Sequence, residues 1–171
     1  ANLSELIIDG SLNAVGTGTQ RIIFRSNSST PLAGQWGGLV VERNLGIQTF
    51  NMQYCDISHS VDGVYMTIIA AGSQGATLSN NTVSTASGIG FYFQNNGGGS
   101  FSLTADDNQI SDIGSTGIYA YSVNSSTVVS GSISRNSIST AAGHGIVFLA
   151  YTSGQISGLT IDGNTINSVG N

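Results

Sequence analysis

Leu78-Ser79-Asn80-Asn81-Thr82-Val83 decides the fold, because its pattern returns. Asn81-Thr82-Val83 comes back as Asn108-Gln109-Ile110, Asn136-Ser137-Ile138 and Asn164-Thr165-Ile166, at intervals of 27, 28 and 28 residues. Cys55-Asp56-Ile57, 26 residues before Asn81, fits the same frame with Cys in place of Asn. A fixed period of this length marks a repeat architecture. With the Asn as position zero, Ile57, Val83, Ile110, Ile138 and Ile166 stand two residues on. Met52, Leu78, Ala105, Ile133 and Ile161 stand three back; Phe50, Ala76, Leu103, Gly131 and Leu159 stand five back. Polar residues fill the positions between: Gln53, Ser79, Asp106, Ser134 and Asp162. This alternation is a strand with one buried face.

A second strand follows in each repeat, announced by Gly: Gly63-Val64-Tyr65-Met66, Gly88-Ile89-Gly90-Phe91, Gly117-Ile118-Tyr119-Ala120 and Gly145-Ile146-Val147-Phe148. Glycine there is expected to supply positive φ for a tight turn. Short strands packed into each repeat leave no room for a helix of ordinary length. Neither a leucine-rich frame nor a six-residue period is present. The pattern therefore predicts an all-β, right-handed parallel β-helix of about six coils, each rising about 4.8 Å. Residues 1–37 read as irregular first coils and 38–171 as regular repeats of 25–29 residues, together one domain. An Asn at a turn adopts αL readily and bonds nearby backbone. Stacked on its own kind, it donates to one neighbour and accepts from the other, which predicts a ladder of Asn81, Asn108, Asn136 and Asn164.

That ladder resembles the inward Asn ladder of the pectate-lyase-like superfamily of right-handed β-helices. Gly34-Gln35-Trp36-Gly37-Gly38-Leu39, preceded by Ile22-Ile23-Phe24-Arg25-Ser26, is similar to an element near the start of many bacterial secreted β-helix proteins. The resemblance covers nearly the whole chain and marks a fold, not an activity. It implies two enzymatic possibilities: lyases that use clustered acids, Ca²⁺ and a basic residue, and hydrolases that group several Asp residues.

No column places acids on neighbouring coils, as a shared Ca²⁺ would need. Asp106 and Asp162 share a column two coils apart, roughly 9.6 Å at twice the strand spacing. Asp106 and Asp107 are expected to point to opposite sides unless a turn intervenes. Arg135 stacks beside Asp107 and reads as a surface ion pair. His59 and His144 occupy different columns. No catalytic, cofactor-binding or metal-ligating set is assigned. Cys55, the single Cys, is expected to be a buried, inert thiol. Trp36, Tyr119 and Tyr121 are the candidate carbohydrate contacts; the alternative for Trp36 is a cover over the first coils. Tyr65 and Tyr92 belong with the two tyrosines. Among the Asn-x-Ser/Thr sequons at Asn2, Asn27, Asn80 and Asn124, Asn124 is the glycosylation candidate because it sits in a swollen loop.

Charged residues make up only 8% of the chain, and the net charge is −5. The four basic residues, Arg21, Arg25, Arg43 and Arg135, form no basic footprint, so no nucleic-acid partner is expected. No apolar run reaches membrane-spanning length. A surface of Ser, Thr, Asn, Gln and Gly suits an extracellular or cell-surface solenoid. The chain begins at Ala1 without Met and reads as a processed or excised piece; its last repeat stops before the expected second strand, with no capping segment. The functional expectation is a non-catalytic extracellular structural β-helix, either an adhesin or stalk segment or a filament subunit whose copies stack end to end. The alternative is a lyase-like carbohydrate-active enzyme or a carbohydrate-binding module on the same scaffold.

Overall fold

The computed structural model describes residues 3–43, 49–69, 72–124 and 128–170. Asn2, Ser125 and Ser126, which belong to two of the sequons, lie outside them. Alternation of apolar and polar residues yields three parallel sheets of six strands each among the described residues. The first sheet contains Glu5–Ile8, Gly38–Arg43, Val64–Ile68, Phe91–Asn95, Ile118–Val123 and Ile146–Tyr151. Leu12–Val15, Thr49–Gln53, Ser73–Ser79, Ser100–Asp106, Val128–Ser134 and Gln155–Asp162 make the second. The third holds Ile22–Arg25, Cys55–Ser58, Thr82–Ala86, Gln109–Ile113, Ser137–Ala141 and Thr165–Val169. Each coil visits the sheets in that order, so every strand pairs with its equivalent one turn away.

The register stacks like on like. Ile57, Val83, Ile110 and Ile138 lie over one another and are buried, as are Met52, Leu78, Ala105 and Ile133. The aromatic rings of Phe50, Phe91, Phe93 and Phe101 fill the same interior. Burial of this single aliphatic and aromatic column is the main favourable term.

Three local expectations need correction. The first coil is regular: Glu5–Ile8, Leu12–Val15 and Ile22–Arg25 pair in register with the second coil. The glycine column before the first sheet is Gly63, Gly90, Gly117 and Gly145, because Phe91, not Ile89, lies opposite Val64. None of these four has positive φ. Their role is space: a Cβ on Gly117 would stand 2.7 Å from both the Gly145 carbonyl oxygen and Ile138 Cγ2. Finally, the αL residue at the second turn is the one before the Asn. Tyr54, Asn80, Asp107, Arg135 and Gly163 hold φ between 52° and 61°. A second αL column, His59, Thr85, Asp112, Thr140 and Ser168, kinks the chain at the third sheet from the second coil onward. Thr is β-branched and disfavoured there, so stacked neighbours impose that turn.

The αL turn sends the following Asn inward. Asn108 Oδ1 accepts from Asn81 N at 3.0 Å and Asn81 Nδ2 at 3.1 Å. Asn108 Nδ2 donates back to Leu78 O at 2.9 Å and on to Asn136 Oδ1 at 2.9 Å. Asn136 repeats this with Asn164 and Ala105. Both donors and both lone pairs of Asn108 and Asn136 are thereby used. At the other end the Cys55 N–H donates to Asn81 Oδ1 at 2.9 Å. Where Cys55 supplies no amide, Arg21 bridges from outside, reaching Asp56, the carbonyls of Cys55 and Asn80, and the Thr82 hydroxyl. The Cys55 thiol is buried and its pKa is pushed up to about 11, mainly by that burial.

Asn108→Ala strands two donors of Asn81, those now satisfied by Asn108 Oδ1. At about 1–3 kcal/mol for each orphaned buried group, the variant should lose at least about 2 kcal/mol in urea unfolding. Asn164→Ala, at the half-buried end of the column, should lose less. Equal losses would contradict the ladder's continuity.

Candidate functional site

With the interior committed to packing and the ladder, only outward columns can meet a ligand. Those of the second and third sheets are small and polar. They read Asn51, Thr77, Thr104, Ser132 and Thr160 on one, and Ser58, Ser84, Ser111, Ser139 and Asn167 on the other. The first sheet differs. Its central outward column is Val40, Tyr65, Tyr92, Tyr119 and Val147, flanked by Thr67, Gln94, Tyr121 and Leu149.

Coil-on-coil pairing puts the tyrosines face to face. Tyr65 and Tyr92 have centroids 4.5 Å apart and planes within 3°, and Tyr92 and Tyr119 are 5.8 Å apart at the same angle. Both faces of Tyr92 are therefore occupied, so edges of Tyr92 and Tyr119 meet Tyr121, whose ring is turned 74° from each. Tyr151 crosses Tyr121 at 88° and is 47% exposed. Tyr92 Oη donates to Gln94 Oε1 at 3.1 Å and stands 2.9 Å from Tyr121 Oη. Partial burial and neighbouring phenols raise the Tyr92 pKa, and burial with a Tyr151 hydrogen bond pushes Tyr119 up to about 12. These phenols are neutral at physiological pH, fitted to exchange hydrogen bonds with uncharged partners.

At the N-terminal end of this strip lies a cleft of about 390 Å³ lined by Leu3, Glu5, Gly37, Val40, Val61, Asp62 and Tyr65. Asp62 Oδ1 accepts from Ile89 N at 2.6 Å. Burial raises the Asp62 pKa against the pull of that bond. Sequence reasoning missed Glu5, Asp62 and Tyr151. Glu5 and Asp62 meet only through the pairing of the first coils, whereas Tyr151 follows from extending the first-sheet columns past Leu149. A larger groove of about 560 Å³ runs along the turn between the third and first sheets, lined by small residues such as Ala86, Gly114 and Ala141 together with Ser87, Asp112, Thr140 and Ser168.

The other candidates are placed as follows. Trp36 donates from Nε1 to Ser58 O at 2.8 Å and packs half-buried against the core at the start of the second coil's first-sheet strand. The structure does not bring it to Tyr119 and Tyr121, which lie three coils on. Asn124 is exposed with φ 76°, and its Nδ2 donates to Asn96 O at 3.3 Å. Arg135 pairs with Asp107 through two bonds of 2.9 and 2.8 Å, and approaches Asp106 at 3.9 Å. An αL turn at Asp107 does intervene between the two acids, which lets one guanidinium reach both. The guanidinium lowers the Asp107 pKa. Among the described residues, no three His, Cys, Asp or Glu side chains are placed to hold a metal ion.

Residues 12–171 match the family described as the right-handed beta helix region, and the chain belongs to that family. Its coil is thus a right-handed parallel β-helix, consistent with the pectate-lyase-like superfamily. A search of curated proteins and a search of solved structures each find no match.

Asp62 gives a pH signature of unusual sign. A carboxyl whose folded pKa is raised contributes stability fully present below its unfolded pKa and lost as pH rises through the folded one. Between the ordinary Asp value of about 4 and its raised folded value, Asp62 should make stability fall with rising pH. Asp62→Asn keeps an acceptor for Ile89 N and should flatten this limb in thermal unfolding followed by circular dichroism. An unchanged slope would contradict the burial of that charge.

Proposed function

We propose that this β-helix is a non-catalytic structural rod of the cell exterior, of adhesin or stalk type, that presents one aromatic strip along its length. The observation that carries this reading is the contrast between outer surfaces: tyrosines on the first sheet against Ser, Thr and Asn columns on the other two. A contiguous apolar and aromatic strip, half-buried along its length and exposed at Tyr151, on an otherwise small-polar surface is read as an interaction face. Two groups that acid–base chemistry could use are engaged: Arg135 is held by Asp107, and Asp62 by a backbone amide. The sparse charge and the Ser-, Thr- and Asn-rich surface suit the cell exterior.

A second reading, self-assembly, rests on the end faces. Ile161 and Ile166 in the last coil are 55% and 42% exposed, whereas Ile133 and Ile138 directly above them are fully covered. Leu6, at the opposite face, is 40% exposed although its partner Leu39 is fully covered. The two faces share one three-sided outline and one apolar character. A further coil, from this chain or from a second copy, fits there; copies stacked head to tail would build an open filament.

Incubation with neutral and acidic polysaccharides, with and without Ca²⁺, should give neither unsaturated product nor new reducing ends. Turnover lost in Arg135→Ala would overturn the non-catalytic reading. Light scattering should show average mass rising with concentration, and Ile161→Asp with Ile166→Asp should abolish the rise. Constant mass in the unaltered chain would remove the self-assembly reading.

A further inference from the structure

The tyrosines of the first sheet form one continuous set of phenols, and Tyr151 is the exposed member. We infer that Tyr151 is a cross-linking site. Under a peroxide-driven one-electron oxidant it couples to Tyr151 of a second copy of this chain as dityrosine, with Tyr92, Tyr119 and Tyr121 relaying oxidation to it. The inference goes beyond the rod reading and does not rest on it.

Burial removes the competing targets. The chain has one Cys, two Met and one Trp. Cys55, Met52 and Met66 are all buried. Oxidation of Cys follows thiolate character and access, and burial keeps Cys55 a thiol with its pKa pushed up to about 11. Trp36 is half-buried, and its indole N–H is bonded to Ser58 O. Tyr54, the sixth tyrosine, is half-buried at an αL turn outside the aromatic set. Around Tyr151 the outward residues Tyr121, Val147 and Leu149 are uncharged. Two copies, each carrying −5 in all, meet least repulsion along such a face.

The hydroxyls make the relay. Tyr92 Oη and Tyr121 Oη stand 2.9 Å apart, and Tyr119 is hydrogen-bonded to Tyr151. A phenol hydroxyl both donates and accepts, so a hydrogen atom can pass from a phenol to a neighbouring phenoxyl radical. That step exchanges two like species and has no chemical bias. The radical therefore moves through the set until an irreversible step is open to it. The stack holds Tyr65, Tyr92 and Tyr119 face to face and half-buried, whereas Tyr151 stands at its exposed edge. There two phenoxyl radicals from two copies meet. One carbon–carbon bond forms between the ring positions ortho to oxygen. The hydrogens on those two carbons move to the oxygens and restore two phenols. The oxidant has taken one hydrogen atom from each copy, and one hydrogen peroxide, its O–O bond broken, is reduced to two waters.

Treatment with hydrogen peroxide and a haem peroxidase tests the assignment, followed by dityrosine fluorescence, denaturing electrophoresis and mass spectrometry of the linked peptides. The unaltered chain should gain the fluorescence and a band of doubled mass, with Tyr151 joined to Tyr151. Such a band survives denaturant, which disperses copies that are merely stacked end to end. Tyr151→Phe keeps the ring and should lose the doubled band. Tyr119→Phe removes the hydroxyl bonded to Tyr151 and should form the band more slowly, with an unchanged circular dichroism spectrum. Tyr54→Phe should behave as the unaltered chain does. No doubled band, a link through Tyr54, fluorescence gained without a change of mass, a band undiminished in Tyr151→Phe, or an unchanged rate in Tyr119→Phe would each overturn the inference.

Discussion

A polar backbone has to turn a corner inside an apolar column, and the amide ladder is what makes that turn tolerable. Each corner between the second and third sheets leaves a strand-end carbonyl and the Asn N–H without partners in the sheets. Asn108 and Asn136 satisfy both, and satisfy each other, with every donor and lone pair engaged. A buried polar group is costly only when unpaired. The ladder therefore lets the corner sit deep in the structure and fixes the register of all three sheets. One αL residue before each Asn sets up the geometry, a strain the stacked neighbours impose on residues as unlike as Asn80, Asp107 and Arg135.

Fixed register has an external consequence. Whatever stands at an outward position on one coil stands over its equivalent on the next. Repetition of Tyr at one such position gives a rigid stack, and repetition of Ser or Thr gives a plain polar wall. The tyrosine strip is thus a product of the same stacking that builds the core. Its chemistry, neutral phenols beside a cleft with two carboxylates, is what distinguishes this surface from the remaining two.

The Asn interval and the apolar columns at three and five residues back were legible because each coil repeats a local pattern. The strand after Gly was legible in kind but not in alignment. Two glycines, Gly88 and Gly90, compete for one column, and only the coil-to-coil register, with Phe91 opposite Val64, selects Gly90. The αL position was misassigned by one residue, since Asn is the expected occupant of such turns while here the side chain is needed inward. The first coil looked irregular because Gly10 and Gly16–Gly18 interrupt its apolar runs. At the site, Tyr119 and Tyr121 stood out by repetition, whereas Glu5 and Asp62 are 57 residues apart and meet only in three dimensions.

Backbone amide hydrogen exchange across the ladder column is the most direct test of the central interaction. The N–H groups of Asn81, Asn108 and Asn136, each bonded to the side-chain oxygen of the next Asn, should exchange only through large-scale opening and be among the slowest in the chain. Fast exchange at Asn108, flanked by ladder neighbours on both sides, would mean that the amides do not join coil to coil.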